Sequence, residues 1–198
     1  MSIYLKTGII PTMLNKITQQ IHTRLINQKK TISVAESCTG GELSSLLTSL
    51  PGSSAYFILG VVTYSNKSKE MILNIPAKKI ARHGAVSRQI AILMAKNIRK
   101  KTLSDFGISI TGIAGPVRGR TPKVFDGCLR QPASNGAGPT GTTTTKSIGT
   151  VYICLSGKNK NICRKFNFSG NREKIREKST QEALRLLKKR LETKGRFS

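Results

Sequence analysis

Acidic and metal-ligating side chains are scarce in this sequence of 198 residues. Asp and Glu number 9 against 34 Lys and Arg, which gives a formal net charge of +25, and there are 2 histidines and no tryptophan. Two separated histidines are too few for a metal cluster, and the four cysteines contain no C-x-x-C pair. We therefore expect no structural metal and no disulfide framework.

Long hydrophobic runs are also missing. No apolar stretch approaches the roughly 18 to 20 residues that a membrane-spanning helix needs, and the first residues do not have the layout of a signal peptide. We expect a cytoplasmic, soluble protein without a membrane partner. Hydrophobic residues still make up 37% of the chain, which is enough to bury a core, and the length suits one domain over residues 1–198.

The excess of positive charge has two interpretations. Lys and Arg can neutralise the phosphates of a nucleic acid, or they can form a solvated surface. The basic residues are dispersed, aromatic residues make up 5% of the chain, and no aromatic-interleaved motif is present to stack bases. The solvated surface is the favoured interpretation, and a nucleic-acid partner is disfavoured although the charge permits it.

Helical and strand patterns alternate along the chain. Apolar spacing predicts helices from about residue 11 to 25, 43 to 50, 66 to 73, 87 to 98 and 172 to 192. Runs rich in β-branched residues predict strands at residues 31–35, 56–64, 106–110, 148–155 and 162–168. The second of these strands is apolar throughout, so we expect it to be buried on both faces, with Gly60 at a bulge or a close approach.

This order of elements predicts an α/β fold. Helices that alternate with strands indicate a three-layer α/β/α sandwich with a mixed, mostly parallel sheet, and the last two strands indicate a late antiparallel hairpin. Residues 117–139 interrupt the pattern, because they are rich in Arg, Pro and Gly and poor in aliphatic residues. We predict that they form a mobile insertion loop without a core of its own.

Ser37 is a candidate nucleophile. It follows a predicted strand, and the Gly40-Gly41 pair behind it lets backbone N–H groups approach a ligand at a helix start. A capping serine followed by a glycine turn explains the same residues without any chemistry, and on these residues alone it is the better explanation. Cys38 is a rival nucleophile, but it lacks an evident partner to lower its pKa, so a small buried cysteine is favoured.

A serine nucleophile also needs a base to take its proton. His83 is one candidate, and a loop histidine without a catalytic role is its alternative. Lys69 is another, since a helix starting near Asn66 would let Lys69 and Tyr64 both point across the end of the preceding strand. Desolvation and neighbouring cations can lower the pKa of a lysine enough for it to accept a proton. Otherwise Lys69 is one more solvated charge, and these residues leave the choice open.

Seven short motifs occur in a fixed order between about Thr31 and Leu187. They are AESCTGG, PGSSA, GVVTYSNxxK, HGAVS, TGIAGP, KSIGTV and GNRxxIR. Each motif alone is weak, but the ordered set is specific, and it resembles the C-terminal domain family of the competence-damage protein CinA. Members with this short form resemble nicotinamide-nucleotide amidase, which hydrolyses nicotinamide mononucleotide to nicotinate mononucleotide and ammonia in pyridine-nucleotide salvage.

The resemblance implies roles for particular residues. The family's serine, tyrosine and lysine fall on Ser37, Tyr64 and Lys69, which implies serine attack on the amide carbon and proton relay through the other two. Backbone N–H groups around Cys38, Thr39 and Gly40, at the helix start, would stabilise the oxyanion. The implied substrate-binding residues are Cys38, Thr39, Gly40, Gly41, Thr111, Gly112, Gly115 and Arg172. The resemblance implies a small nucleotide substrate, no metal and no cofactor, and we also expect a homo-oligomer.

Two arginines near the start of the last helix have a further interpretation. Arg172 and Arg176 would bind the nucleotide phosphate or a neighbouring subunit, or else form part of a salt-bridged helix face. The sequence departs from the family pattern in the insertion after TGIAGP, in Ser147, where proline is common, and in its charge. The alternative hypothesis is therefore an inactive member of the fold that acts as a binding or regulatory protein, with nucleic acid as its polyanion.

Overall fold

The structure, a computed structural model, describes residues 12–115 and 147–193. The predicted insertion at 117–139 lies outside these residues. The helices are α1 (Thr12–Asn27), α2 (Glu42–Leu47), α3 (Asn66–Leu73), α4 (Ala77–His83), α5 (Arg88–Thr102) and α6 (Arg172–Glu192). The strands are β1 (Ile32–Glu36), β2 (Phe57–Val62), β3 (Phe106–Gly112), β4 (Thr150–Ser156) and β5 (Asn161–Asn167).

The strands form one mixed sheet in the order β2-β1-β3-β4-β5. The strands β2, β1 and β3 are parallel, and β4 and β5 continue the sheet as antiparallel strands. Glu36 at the end of β1 lies opposite Val62 of β2 and Ile110 of β3. The carboxyl ends of the three parallel strands therefore meet at one edge of the sheet, which is where open α/β sheets bind ligands.

Helices cover both faces of this sheet. Val34 of β1 points into a core shared with α1, α2 and α6, and its neighbour Ala35 points into a second core shared with α3, α4 and α5. Successive side chains of a strand point to opposite faces, so β1 contributes to both cores. The three-layer α/β/α sandwich with a late antiparallel hairpin is confirmed.

The prediction that residues 56–64 are buried on both faces is wrong. β2 lies at the edge of the sheet, beside β1 alone, and its residues alternate between half-buried and exposed. Ile58 and Val62 are each 48% exposed, because the short helix α2 covers little of their face. The close approach at Gly60 is confirmed, since a Cβ there would lie 2.6 Å from the Ser44 hydroxyl oxygen.

Capping residues explain where two helices begin. The Ser65 side chain accepts a hydrogen bond from the amide of Ser68, which starts α3 as predicted, and Ser87 accepts one from the amide of Ile90 at the start of α5. The helix α4 was not predicted, and α2 ends at Leu47 rather than near residue 50. Within the described residues, none of the helices combines the length and the apolar character needed to cross a bilayer.

Candidate active site

Ser37 lies directly after β1, at the edge where the parallel strands end. It is 8% exposed. The chain turns sharply behind it, and the amide of Gly40 donates a hydrogen bond to the Ser37 carbonyl oxygen at 3.1 Å. Gly40 and Gly41 have φ values of 65° and 99°, which residues with a side chain rarely adopt. The glycine pair thus allows the strand–turn–helix geometry that holds the serine.

Lys69 reaches Ser37 from the first turns of α3. Its ammonium nitrogen lies 3.4 Å from the Ser37 hydroxyl oxygen and donates to the Thr63 carbonyl oxygen at 2.6 Å and to the Tyr64 carbonyl oxygen at 3.4 Å. The Lys69 side chain is 1% exposed. The structure therefore brings together the two residues that the sequence suggested as nucleophile and base.

Burial changes the acid–base behaviour of Lys69 and of its neighbour Cys38. Desolvation lowers the pKa of Lys69 from 10.5 to about 8, because the charged ammonium loses its water. At that pKa roughly a tenth of the lysine is neutral at pH 7. Desolvation also raises the pKa of the Cys38 thiol to about 12, which keeps the thiol protonated and argues against Cys38 as the nucleophile.

Tyr64, the third catalytic residue that the resemblance implies, has its side chain in contact with Arg172. The Tyr64 hydroxyl accepts a hydrogen bond from the Arg172 guanidinium at 3.0 Å, and the Tyr64 residue is 45% exposed. Gly115 also lies close to Arg172, since a Cβ at Gly115 would be 3.1 Å from the Cβ of Arg172. Tyr64, Gly115 and Arg172 therefore form the outer rim of the site. Lys69 contacts Tyr64 through the main chain, and the relay role of the Tyr64 side chain stays a prediction.

Glu36 is a residue of the site that the sequence analysis missed. Its carboxylate is fully buried and accepts hydrogen bonds from the amides of Gly41, Leu43 and Ser44 at 3.1, 3.2 and 2.8 Å. It also accepts one from the Ser44 hydroxyl at 2.7 Å. A signal for Glu36 was present in the sequence, since it is one of few acidic residues in the chain and stands at the end of a predicted strand.

These contacts narrow the set of amides available to an oxyanion. The amide of Gly41 donates to Glu36, and that of Gly40 donates to the Ser37 carbonyl oxygen. The amides of Cys38 and Thr39 are the remaining members of the predicted set. The Gly40-Gly41 pair therefore shapes the turn and does not offer its N–H groups to a ligand.

Arg176 ties α6 to this turn. Its guanidinium donates two hydrogen bonds to the Thr39 carbonyl oxygen, at 2.7 and 3.2 Å, and lies 3.8 Å from the Glu42 carboxylate. Because these contacts are internal, Arg176 positions the turn, and Arg172 at the rim is the better candidate for a phosphate. This internal role was not predicted from the sequence.

Thr111 and Gly112 lie at the end of β3, next to the end of β1. The Thr111 hydroxyl donates to the Ala85 carbonyl oxygen at 2.9 Å, and the residue is 1% exposed. A Cβ at Gly112 would lie 2.6 Å from a methyl group of Val151. Both residues thus pack the strand end on which the site rests. Among the described residues, no group of His, Cys, Asp and Glu is arranged to hold a metal ion.

Comparisons with known proteins agree with this arrangement of the fold. A family model described as the CinA C-terminal domain matches residues 14–125 and 133–191. The break between the two matched ranges, residues 126–132, falls inside the segment 117–139.

Curated relatives match most of this chain. A CinA-like protein of Endomicrobium trichonymphae is 40% identical over 173 residues, which is 87% of this chain and 35% of the relative. A CinA-like protein of Koribacter versatilis (strain Ellin345) is 44% identical over 161 residues, 81% of this chain and 33% of the relative. The chain spans about a third of the length of these relatives.

Solved structures match at nearly full length. The competence damage-inducible protein A (ComA) of Klebsiella pneumoniae subsp. pneumoniae MGH 78578 superposes with a TM-score of 0.76 at 25% identity, covering 92% of this chain and 99% of that one. A competence-damaged protein (CinA) superfamily protein of Enterobacter cloacae superposes with a TM-score of 0.74 at 29% identity, covering 90% and 92%.

Proposed function

We propose that this chain, which belongs to the CinA C-terminal domain family, is a serine amidohydrolase that converts nicotinamide mononucleotide to nicotinate mononucleotide and ammonia. The observation that carries the proposal is the buried contact of 3.4 Å between the Lys69 nitrogen and the Ser37 hydroxyl oxygen. Family membership suggests the substrate, and the Ser37–Lys69 contact supports the reaction type, because a serine next to a buried amine is an activated nucleophile.

The reaction begins with neutral Lys69. The amine takes the hydroxyl proton of Ser37 as the serine oxygen attacks the amide carbon, and the carbonyl oxygen becomes an oxyanion near the amides of Cys38 and Thr39. Lys69 then returns the proton to the amide nitrogen, which leaves as ammonia. Water hydrolyses the ester and restores Ser37. Tyr64, at the rim, is proposed to pass protons between Lys69 and the substrate.

The surroundings of Lys69 suit this role. Desolvation places its pKa at about 8, close to the operating pH, where a general base is most effective. The carbonyl oxygens of Thr63 and Tyr64 hold the nitrogen in place beside Ser37. A contact of 3.4 Å is long for a hydrogen bond, but catalytic contacts shorten when the substrate binds.

Arg172 is the proposed contact for the phosphate of the substrate. It is the first residue of α6, and one of its terminal nitrogens donates to the Tyr64 hydroxyl at 3.0 Å. A guanidinium carries five N–H donors, so this hydrogen bond leaves others for phosphate oxygens. An anionic nucleotide would thus be oriented at the rim with its amide toward Ser37.

Ammonia release from nicotinamide mononucleotide by the purified protein tests the proposal. We expect turnover without added metal, and we expect Ser37→Ala to lower kcat on the order of 10⁴- to 10⁶-fold, since the nucleophile is lost. Ser45→Ala, on the exposed side of α2, is the matched control and should keep the rate. Full activity in Ser37→Ala, or complete loss of wild-type activity with a chelator, would overturn the serine mechanism.

A basic groove supports a second candidate function, nucleic-acid binding by a catalytically inactive protein. The groove has a volume of about 640 Å³ and lies between β5, the β4–β5 turn and the end of α6. None of the described residues that line it is acidic, and its cations are Lys158, Lys160, Arg164, Lys189 and Arg190. Phosphates are the complementary ligand for such a surface. Because the turn lies at the opposite end of the sheet from Ser37, the groove is separate from the proposed amidase site.

A further inference from the structure

Cys154 of β4 and Cys163 of β5 lie directly opposite each other in the sheet. Both side chains point toward α5, where they pack against Ala91 and Ala95. Both thiols are free and buried, with Cys154 fully buried and Cys163 7% exposed. Neither belongs to the proposed amidase site, and neither was assigned a role from the sequence.

The hydrogen-bond pattern of the hairpin shows how close the two cysteines are. The amide of Gly157 donates to the carbonyl oxygen of Lys160 at 2.9 Å, so this pair at the turn is a hydrogen-bonded pair. Hydrogen-bonded and non-hydrogen-bonded pairs alternate along antiparallel strands, which makes Cys154 and Cys163 a non-hydrogen-bonded pair. In such pairs the Cα atoms are about 4.5 Å apart, within the span of about 4.4 to 6.8 Å that a disulfide bridges.

Arg88 distinguishes the two thiols. The strand β5 is the edge of the sheet, and the outward carbonyl oxygen of Cys163 accepts a hydrogen bond from the Arg88 guanidinium at 2.8 Å. A hydrogen bond from the Cys154 thiol and the charge of Arg88 lower the pKa of the Cys163 thiol, whereas the same hydrogen bond and burial raise the pKa of Cys154. The Cys163 thiol also contacts Arg88, since it donates to the Arg88 carbonyl oxygen at 3.9 Å. Because Cys163 is the more exposed of the two thiols and lies beside the Arg88 guanidinium, it is the thiol that we expect to react first with an oxidant.

We propose that Cys154 and Cys163 form a site of oxidative modification, at which a hydroperoxide converts the two thiols into a cross-strand disulfide. The Cys163 sulfur attacks the hydroperoxide, the O–O bond breaks, and an alcohol leaves with the thiol proton while Cys163 becomes a sulfenic acid. The Cys154 thiol attacks that sulfur, the S–O bond breaks, and water leaves as the S–S bond forms. The two thiols together lose two electrons, and the hydroperoxide gains them.

Treatment of the native protein with hydrogen peroxide tests this proposal. Trypsin cleaves after Lys146, Lys158, Lys160 and Arg164, which places the two cysteines on separate peptides, residues 147–158 and 161–164. After free thiols are alkylated, we expect a linked pair of these peptides that is lighter than their sum by two hydrogen atoms and that separates on reduction with dithiothreitol. Native protein should form the link faster than protein oxidised in urea, because the sheet holds the thiols together.

Two variants separate the roles of the thiols. In Cys154→Ser we expect peroxide to leave a sulfenic acid on Cys163 that reacts with dimedone, and in Cys163→Ser we expect Cys154 to remain a thiol. Circular dichroism confirms that each variant is folded, and the wild-type experiment does not depend on them. The proposal is overturned if both cysteines are recovered as alkylated thiols from oxidised native protein, or if the link joins Cys38 or Cys128 instead.

Discussion

The amine nitrogen of Lys69 lies 3.4 Å from the hydroxyl oxygen of Ser37, and both residues are buried at the edge where the parallel strands end. Ser37 comes from the turn after β1, and Lys69 comes from α3 on the other face of the sheet. The contact places a titratable amine against a hydroxyl in a buried site. The contact should therefore affect both the pH dependence of the amidase rate and the pH dependence of the free energy of unfolding.

Amidase activity should rise with pH on a limb set by Lys69. Because the lysine acts as a base only when it is neutral, and desolvation places its pKa at about 8, kcat/KM should increase about tenfold per pH unit below that value and level off above it. Lys69→Arg should be inactive, since a guanidinium stays protonated. Initial rates between pH 6 and pH 10 check this.

His83→Gln is the control for that limb. His83 is the last residue of α4, and it was the other candidate base in the sequence analysis. We expect the variant to keep the same pH limb as the wild type. Loss of the limb in His83→Gln together with activity in Lys69→Arg would show that the base is histidine.

Burial of Lys69 should also make stability depend on pH. The unfolded chain holds the lysine proton up to a pKa near 10.5, whereas the folded protein releases it near 8. Between these values the unfolded state binds more protons, so the free energy of unfolding should rise with pH, by about 3 kcal/mol over the whole window. Below pH 8 Lys69 is charged in the folded protein, so the desolvation of its ammonium lowers the free energy of unfolding by the full amount.

Lys69→Met isolates this effect. Methionine does not titrate, so urea denaturation should give Lys69→Met a higher free energy of unfolding, relative to the wild type, below pH 8 than at pH 10.5. The difference between the two proteins should shrink as the pH rises through this range. The carbonyl oxygen of Thr63 loses a donor in the variant, but that cost is the same at every pH. A stability difference that does not change with pH would mean that Lys69 keeps an ordinary pKa.

Glu36 should be critical for the turn that carries Ser37. Its buried carboxylate accepts hydrogen bonds from three amides and one hydroxyl. Glu36→Gln replaces one accepting oxygen with a donor, which should lower the free energy of unfolding by about 3 kcal/mol. Glu42→Gln, at the partly exposed start of α2 and 3.8 Å from Arg176, is the matched control and should cost about 1 kcal/mol or less. Equal effects in urea denaturation would contradict the structural role of Glu36.

Local patterns predicted the elements that depend on local interactions. The sequence predicted a helix over residues 66–73, and α3 has these bounds, with the Ser65 side chain as its cap. The start of α5 follows from Ser87 in the same way. Capping and apolar spacing act within one helix, and a single sequence therefore contains them.

Features that depend on the arrangement of elements could not be predicted in this way. Residues 56–64 were predicted to be buried on both faces because they are apolar throughout. Their position at the edge of the sheet, where Ile58 and Val62 are exposed, depends on the order of the strands and not on local composition. The contact of Arg176 with the Thr39 carbonyl oxygen joins residues 137 positions apart. The residues themselves made Ser37 and Lys69 candidates, and the resemblance assigned roles to Ser37, Tyr64 and Lys69. The burial of Lys69 became visible only in the structure.

The position of the segment 117–139 in the fold predicts that the fold tolerates its removal. The amide of Ile113 donates to the Thr150 carbonyl oxygen at 2.9 Å, and the amide of Gly149 donates to the Ile113 carbonyl oxygen at 2.8 Å, so the end of β3 and the start of β4 are paired. Deletion leaves residue 116 and residues 140–146 to join these paired ends. Because closure entropy changes slowly with loop length, the free energy of unfolding should change by about 1 kcal/mol or less. Urea denaturation of the two forms checks this.

The deletion also separates the two candidate functions. If the protein is an amidase, the deleted form should release ammonia at an equal or higher rate, and weak binding to single-stranded DNA should be unaffected. If it is a nucleic-acid binder, losing the cations of the segment, Arg118, Arg120, Lys123 and Arg130, should weaken binding and make its salt dependence shallower. Lys189→Glu should then have the same effect, since it places a negative charge in the basic groove. Tight, salt-sensitive DNA binding that both changes weaken, with no amidase activity in either form, would favour the binding protein over the enzyme.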